Sequence, residues 1–321
     1  MYKVSNLYYE QGLNQEEIKV KLHISRSKVS RLLNQARQIG VVQITVHPPH
    51  GFNHELEQEL ERRFSLKEAI VVEVNDPASS DILSRELGVA AAGYFSRICI
   101  PGQTIGISWG TTLNQMVLAL QQNRVPNTHL VQLIGGLGKP ESEVHATDLC
   151  HRLARQLNSR LTLLPAPGIV ENHRTKEILL SDGYVRKALD LFSAIDLAYV
   201  GIGAPTLDSV VMRDGSILTE RDREILLAKG AVGDIALRFF DSQGKPIISD
   251  VDERVIGITL EQLSKIKQVI GVGGGLQKEA AIRGALQGNY IHVLITDHIT
   301  AKLLTEKAIQ SSNGRENACA T

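Results

Sequence analysis

The feature that most constrains the fold is an alternation of short apolar runs with segments of helical period, which begins near Ala69. The runs are apolar at consecutive positions, which is typical of strands buried on both faces. Strands that alternate with helices form a parallel sheet. The sequence therefore predicts an α/β, Rossmann-like doubly wound domain with strands at residues 69–74, 104–109, 129–134, 160–164, 197–202, 268–272 and 292–296. The predicted helices lie at residues 81–97, 112–120, 144–157, 184–192, 219–229, 278–286 and 300–307.

Residues 14–40 follow a different pattern, that of two short helices joined by a tight turn. Asn14 with Glu17 three positions later predicts a helix that starts at Gln15, because each side chain can cap the other's backbone. Ser25 can cap the second helix in the same way. A preceding helix is predicted at residues 4–11. The inward positions of the helix pair have the helical period, with a break at residues 23–25: Leu13, Ile18, Leu22, Ile24, Val29, Leu32 and Leu33.

The outer face of the second helix carries cationic and hydroxyl side chains that suit phosphates and base edges. Residues 1–50 hold seven Lys or Arg against three acidic residues, although the formal charge of the whole chain is zero. This local basic face predicts a helix-turn-helix DNA-binding module. The alternative is a pair of solvated surface helices. The candidate DNA-binding residues are Arg26, Ser27, Lys28, Ser30 and Arg31.

Two positions depart from the usual helix-turn-helix pattern. Lys19 stands where a small residue normally lets the helices approach, and His23 stands where glycine normally makes the turn. Histidine tolerates a positive φ better than most residues, and a lysine can extend its stem along the surface. We therefore expect the module to form with both residues present.

Consecutive prolines and a glycine at residues 47–51 predict a domain boundary. We expect a helix-turn-helix DNA-binding domain at residues 1–50 and an effector-binding and oligomerisation domain at residues 51–310. The small, polar residues 311–321 predict a disordered tail. Residues 41–46 alternate as a short strand that would form a wing, and residues 53–64 predict an amphipathic helix.

Composition excludes several classes of chemistry. Three cysteines without paired spacing argue against a disulfide framework or a zinc site. Leu276 replaces the last glycine of a GxGxxG pattern that begins at Gly271, so a dinucleotide is weakly supported and no cofactor or metal is expected. The sequence has neither a bilayer-spanning apolar run nor a signal peptide, which predicts a cytoplasmic protein without a membrane partner.

The loops that follow the predicted strands are the expected ligand site, because ligands of open parallel sheets bind outside the carboxyl ends of the strands. Gly110, Thr111 and Thr112 lie directly before a helix, where backbone amides attract an anion such as phosphate. The alternative is that one of the threonines is simply the helix N-cap. Further candidates at the same edge are Gly135, Gly136 and Lys278, the last after a run of three glycines.

Asp234 follows Gly230 and Gly233, which predicts a carboxylate held on a tight loop and available to sugar hydroxyls. The competing interpretation is a turn residue that binds its own backbone. Together Asp234 and Lys278 would provide an acceptor for hydroxyls and a cation for phosphate, a pair that suits a phosphorylated sugar. Ser108 fits the GxSxG spelling of a nucleophile, but no HGGG-type loop accompanies it, which favours close backbone packing there.

In this order along the chain, several motifs closely resemble SorC-type sugar-binding transcriptional regulators: SRSKVSRLLNQAR, IGISWGTTL, QLIGGLG, PAPGIV, YVGIGAP, KGAVGDIALRFFD and GVGGGLQKEAAIRGAL. The resemblance covers nearly the whole chain. It implies an effector domain related in fold to phosphosugar isomerases, a phosphorylated sugar or related metabolite as ligand, and assembly as dimers and tetramers. It also implies that the phosphate loop is Gly110, Thr111 and Thr112, and that the acid and lysine of the pocket are Asp234 and Lys278.

The predicted function is a DNA-binding transcriptional regulator of a carbohydrate uptake or catabolism operon, not an enzyme. Its expected partners are double-stranded operator DNA, a phosphorylated sugar effector and further copies of the chain. The alternative is a sugar-phosphate isomerase-like enzyme with a fused DNA-binding module. A protein that assembles on DNA without any ligand is a third possibility, which the glycine-rich loops disfavour.

Overall fold

A computed structural model describes residues 1–42, 53–121, 125–136, 140–207, 209, 211–212 and 217–306, with the backbone alone for residues 140–146. Internal contacts divide the chain into two compact units, Met1–His50 and Gly51–Thr321. Among the described residues, the first unit has one hydrophobic core cluster and the second unit has two.

The first unit consists of short helices around a small apolar core. The helices are α1 (Tyr2–Ser5), α2 (Gln15–Leu22) and α3 (Arg26–Gln38), with a π-helical turn at Asn6–Glu10. The single helix predicted at residues 4–11 is therefore two elements. The core residues come from all of these elements, and every predicted inward position of the helix pair is buried or packed against them: Val4, Leu7, Ile18, Val29 and Leu33, with Leu13, Leu22, Ile24 and Leu32.

The turn between α2 and α3 forms as the capping pattern predicts. Asn14 accepts hydrogen bonds from Glu16 N and Glu17 N, and the Glu17 carboxylate accepts from Asn14 N at 2.8 Å. His23 adopts the left-handed conformation with φ of 52°, so it replaces the usual glycine. The Ser25 hydroxyl accepts from Lys28 N and starts α3. Lys19 stays at the surface, where its ammonium lies 2.8 Å from Glu16.

Two predictions fall partly or wholly outside the described residues. Val41 and Val42 form a bend rather than a strand, and the rest of the predicted wing, residues 43–46, lies outside those ranges. The predicted tail, residues 311–321, also lies outside them.

The second unit is built on a seven-stranded sheet. Its strands, together with those of a separate hairpin, are β1 (Glu68–Val72), β2 (Thr104–Ile107), β3 (His129–Gln132), β4 (Arg160–Thr162), β5 (Leu197–Gly201), β6 (Gly233–Ile235), β7 (Arg238–Phe240), β8 (Gln268–Val272) and β9 (Val293–Asp297). The helices are α4 (His54–Phe64), α5 (Ser80–Ile98), α6 (Thr111–Ala119), α7 (Pro140–Leu157), α8 (His173–Ser181), α9 (Gly183–Asp190), α10 (Glu220–Ala228), α11 (Asp250–Arg254), α12 (Leu260–Ser264), α13 (Glu279–Gln287) and α14 (His298–Glu306).

The strand order is β1-β9-β8-β5-β2-β3-β4, and every neighbouring pair is parallel. All seven predicted strands are present, which confirms the doubly wound parallel sheet. Successive residues of β5 enter different cores: Leu197 and Tyr199 belong to one, Ala198 and Val200 to the other. The continuous apolar runs therefore reflect burial on both faces of the sheet. No helix in the described ranges is both long and apolar enough to cross a lipid bilayer.

The sequence did not predict the antiparallel β6–β7 hairpin. Its strands are only three residues long, and Ala236 and Leu237 occupy its turn with φ of 54° and 61°. Hairpin turns with positive φ are normally recognised by Asn-Gly or Asp-Gly pairs, which this segment lacks. The helices α8, α11 and α12 were also missed.

Helix α4 covers the outer edge of the sheet at β1. The Glu57 and Glu61 carboxylates accept hydrogen bonds from Val71 N and Ala69 N, each at 3.0 Å. Ala69 and Val71 are buried, so water cannot reach these amides, and without the carboxylates they would have no hydrogen-bond partner. Side chains of a helix thus satisfy donors that an edge strand leaves unpaired.

We expect Glu61→Ala to lower the free energy of unfolding by about 1–3 kcal/mol, because a buried amide loses its acceptor. Chemical denaturation of the purified protein measures the change. Glu55→Ala, at an exposed position of the same helix, is the control. Equal stability of the two variants would contradict a structural role for the Glu61 carboxylate.

Candidate functional site

The sheet has a topological switch point between β2 and β5. From β2 the chain proceeds through β3 to β4 at one edge, whereas from β5 it proceeds through β8 and β9 in the other direction. The connections at the carboxyl ends of β2 and β5 therefore lead away from each other, and the ligand crevice of an open α/β sheet lies at such a point. The loops that follow β2, β3, β5 and β8 border this crevice.

The loop after β2 ends at the N-terminus of α6. Gly110 is the N-cap residue, with φ of 136°, a conformation that favours glycine, and no side-chain cap is present. The alternative that Thr111 or Thr112 caps the helix is therefore wrong. Thr111 is exposed and Thr112 is buried. Amides in the first turn of a helix without a side-chain cap attract an anion.

The end of β5 is tied to the end of β2. The Ser108 hydroxyl accepts a hydrogen bond from Gly201 N at 3.1 Å, and Ser108 N donates to Tyr199 O at 3.0 Å. Ser108 is only 3% exposed. It thus has the structural role that the missing HGGG-type loop favours, and it closes the floor of the crevice.

The glycines after β3 are packed against neighbouring backbone. Gly136 N donates to Ala166 O at 2.9 Å, and Gly135 N donates to Ile256 O at 3.2 Å. A Cβ at Gly135 would come within 2.2 Å of Ala166 O, which explains the glycine. These two amides are therefore already used within the protein, and the adjoining residues 137–139 lie outside the described part of the chain.

Asp234 does not lie on a loop, as the sequence had suggested, but within β6. One carboxylate oxygen accepts from Leu237 N at 3.1 Å, which is the turn-forming bond of the competing interpretation. The other, Oδ1, is buried without a hydrogen-bond partner among the described residues. Burial raises the pKa of Asp234 to about 6, an effect that the Leu237 amide and the positive charge of Lys278 partly offset.

The backbone brings Asp234 to the end of β5. Gly203 N donates to Asp234 O at 2.9 Å, and Asp234 N donates to Gly203 O at 3.0 Å. Lys278 ends a 3-10 turn after β8 and is close enough to influence the Asp234 carboxyl. The structure therefore brings Asp234 near Lys278 and ties Asp234 to the chain that follows β5.

Two contributors to this region were missed at the sequence level. Gly203 belongs to the YVGIGAP motif and directly follows the strand predicted at residues 197–202, so its sequence position already indicated the site. Asp297, fully buried at the end of β9, accepts from Gly275 N at 2.8 Å and from the Thr300 hydroxyl at 2.6 Å. It anchors the glycine turn that leads to Lys278. Asp297 also accepts from Ile299 N and Thr300 N, so its local sequence marks a helix cap. Its bond to Gly275 spans 22 residues, and nothing in the local sequence indicates it.

The candidate DNA-binding residues lie at the start of α3. Arg26, Ser27, Lys28 and Arg31 are exposed, and Ser30 is half-buried. Glu16 on α2 lies 3.7 Å from Arg26 and 2.8 Å from Lys19. The Lys19 hydrogen bond is the main cause that lowers the pKa of Glu16. The exposed face thus presents cations beside one acidic side chain.

Comparison with known proteins gives a consistent family assignment. Residues 49–306 match the family described as "Putative sugar-binding domain". The sorbitol operon regulator of Klebsiella pneumoniae is 33% identical over 313 residues, which cover 94% of this chain and 96% of the relative. The deoxyribonucleoside regulator of Bacillus subtilis is 32% identical over 302 residues, with 94% and 96% covered.

Solved structures agree with the sequence relatives. The crystal structure of the full-length sorbitol operon regulator SorC from Klebsiella pneumoniae aligns with a TM-score of 0.73 and 31% identity. The alignment covers 95% of this chain and 97% of that one. A DeoR family transcriptional regulator from Listeria monocytogenes aligns with a TM-score of 0.72 and 32% identity, over 78% and 98%. The match to the sugar-binding domain family, the sequence relatives and the solved structures agree. The chain belongs to the SorC-type family of transcriptional regulators with a sugar-binding domain.

Proposed function

We propose that this protein is a DNA-binding regulator of a carbohydrate operon, and that a phosphorylated sugar bound at the β2/β5 crevice controls its affinity for operator DNA. The observation that carries the proposal is the uncapped N-terminus of α6 at the switch point, in the same sheet edge as Lys278. The relatives' names, a sorbitol operon regulator and a deoxyribonucleoside regulator, support a sugar-related effector. A regulator of this kind would act in the cytoplasm.

The effector would be held through its phosphate. The amides at the start of α6, with Gly110 at the cap, would donate to the phosphate oxygens, and the exposed Thr111 hydroxyl would add a donor. Lys278, on the loop that follows β8, would supply positive charge. Gly135 and Gly136 would shape the wall on the β3 side through their close backbone packing. Thr112, which is buried, would support the loop from below.

Asp234 would act on the effector mainly through Lys278. Its carboxyl is enclosed, so a direct bond to a sugar hydroxyl requires the β6–β7 hairpin to shift. The Asp234 carboxyl and the Lys278 ammonium attract each other, which would limit the positions that the ammonium can take beside the crevice. This role differs from the exposed acceptor that the sequence suggested.

The DNA would be read by α3. Arg26, Lys28 and Arg31 would contact phosphates or guanine edges, and Ser27 and Ser30 would assist. A homodimer or homotetramer would present two such helices to successive major grooves, which is the usual way that this motif obtains specificity. The effector would control binding only if its affinity differs between the DNA-bound and free states of the protein.

An isomerase-like enzyme with the same fold is less well supported. It would need an accessible general base beside the sugar. Asp234 is the obvious candidate, but its carboxyl is engaged with Leu237 N and shielded from solvent. The relatives at 33% and 32% identity are named as regulators. We therefore favour a binding site without catalysis.

The first prediction of the proposed function concerns the effector. We expect thermal unfolding to shift upward with at least one member of a panel of glucose 6-phosphate, sorbitol 6-phosphate, ribose 5-phosphate and 2-deoxyribose 5-phosphate, and not with the free sugars, because a ligand bound only to the folded state stabilises it. Lys278→Ala and Thr111→Glu should abolish the shift. Lys267→Ala is the matched control, since Lys267 directly precedes β8 at the opposite edge of the sheet. A full shift in the Lys278 and Thr111 variants would exclude this crevice.

The second prediction concerns the DNA face. Arg31→Ala should weaken binding to a duplex that the wild-type protein selects from a random-sequence pool, by about 1–3 kcal/mol, while the effector-induced thermal shift stays unchanged. Arg37→Ala is the control, because the Arg37 side chain is engaged with the Tyr9 hydroxyl at 2.8 Å. Fluorescence anisotropy at fixed salt measures both. Equal affinities of the two variants would remove Arg31 from the DNA face.

The third prediction tests the enclosure of Asp234. With the pKa near 3.8 in the unfolded chain and about 6 in the folded one, the folded state binds the proton more tightly. The resulting stability is present at low pH and is lost as the pH rises through about 6, a loss of about 3 kcal/mol. Asp234→Asn should lack this dependence. Guanidinium unfolding at several pH values measures it, with the exposed Asp81→Asn as control. Parallel pH profiles of wild type and Asp234→Asn would show that the carboxyl is not enclosed.

A further inference from the structure

Arg238, on β7, is a buried cation that binds one short segment of backbone at several points. It is 6% exposed. Its Nε donates to Ile258 O at 3.1 Å, and its Nη2 donates to Val255 O and Gly257 O, each at 3.3 Å. Its Nη1 donates to Asp252 O at 3.0 Å and to the Asp252 carboxylate at 2.8 Å. All three guanidinium nitrogens are therefore engaged, with four carbonyls and one carboxylate.

The segment that Arg238 holds, residues 255–258, supports the loop after β3. Ile256 O accepts from Gly135 N at 3.2 Å, and Ile258 N donates to Leu133 O at 2.8 Å. A Cβ at Gly257 would come within 2.8 Å of Leu133 O, so the two backbones are in direct contact. The position of Gly135 therefore depends on where residues 255–258 lie.

The same segment supports the chain that follows β4. Ile256 N donates to Gly168 O at 2.9 Å, and Val170 N donates to Arg254 O at 3.1 Å. It thus behaves as a short connecting strand between two loops at the carboxyl edge of the sheet. Without Arg238, the carbonyls of Val255, Gly257 and Ile258 would lose these hydrogen-bond donors in a buried environment. Leaving buried acceptors unpaired lowers the stability of the fold.

Arg238 is also connected to Asp234, through the backbone of one hairpin. Both residues belong to the β6–β7 hairpin, in which Ile235 pairs with Arg238. Asp234 is in turn bonded through its backbone to Gly203, at the end of β5. Arg238 therefore lies between two borders of the crevice, the Gly135–Gly136 loop and the Asp234–Gly203 pair.

We propose that Arg238 is a positioning residue of the effector site, which holds the Gly135–Gly136 loop and the Asp234 hairpin at a fixed separation through residues 255–258. This inference rests on the proposed function. Lysine cannot replace the planar guanidinium, because a single ammonium cannot reach four carbonyls that are spread along a segment. Arg238→Lys keeps the positive charge but loses the planar arrangement of donors that binds these carbonyls.

The test compares Arg238→Lys with Arg254→Lys. Arg254 is a matched control, since it lies on α11 beside the same segment and its side chain is 12% exposed, but it pairs with Asp222 and Asp250 rather than with the carbonyls of residues 255–258. The probe is whichever of the four sugar phosphates named above binds the wild-type protein most tightly, measured by calorimetry. Hydrogen exchange of residues 133–136 is followed on the same samples without ligand.

We expect Arg238→Lys to bind the probe at least about tenfold more weakly, because the wall of the site at Gly135 and Gly136 loses its fixed position, and to exchange faster at Gly135. Arg254→Lys should change affinity by no more than about twofold. If Arg238→Lys does not fold, Asp252→Asn keeps the test open, because it weakens one guanidinium contact and should lower the affinity by a smaller factor. Rapid exchange at Gly135 with wild-type affinity would overturn the inference, as would equal affinities of Arg238→Lys and Arg254→Lys.

The same binding measurements distinguish failure of the proposed function from failure of the Arg238 inference. If no sugar phosphate binds the wild-type protein, the proposed function fails and this inference fails with it. If the wild-type protein binds the probe and Arg238→Lys or Asp252→Asn binds it equally well, the inference alone is wrong.

Discussion

The reversal of strand order between β2 and β5 is the constraint on which the candidate site depends. Because every strand of the sheet is parallel, the connections after β2, β3, β5 and β8 all leave from one edge. Because the order reverses, the first turn of α6 and the end of β5 are not covered by a shared connection. The hydrogen bond from Gly201 N to the Ser108 hydroxyl then holds the two strand ends together beneath the crevice.

Behind that edge, buried polar side chains hold the loops in place. Asp297 binds the glycine turn before Lys278, Arg238 binds residues 255–258, and Asp234 binds the turn of its own hairpin. Each lies where water is excluded, so a hydrogen bond is stronger and its loss more costly than at the surface. Loops that contain several glycines would otherwise be poorly ordered, and these contacts replace the order that side-chain packing cannot provide.

The first unit is held together by a much smaller apolar core than the second. A small cluster of buried apolar side chains and two helix caps place α2 and α3, and the positive φ of His23 makes the turn without a glycine. The basic residues of α3 remain outside this core, free to contact a polyanion. Glu16 sits beside Arg26 and Lys19, so DNA phosphates would compete with an existing carboxylate for these cations.

The sequence by itself determined the elements whose pattern is local: the capped helix pair, the seven parallel strands, and the glycine loops that follow them. Burial on both faces produces continuous apolar runs, and caps depend on residues three positions apart, so both can be read along the chain. Only the tertiary structure decided which loops meet, that Asp234 is enclosed within a hairpin, and that Arg238 and Asp297 support the site. The contacts of Arg238 with Asp252 and of Asp297 with Gly275 span 14 and 22 residues, and contacts at such separations leave no periodicity in the sequence. The hairpin around Asp234 is local, but its turn lacks the residue pair by which such turns are recognised.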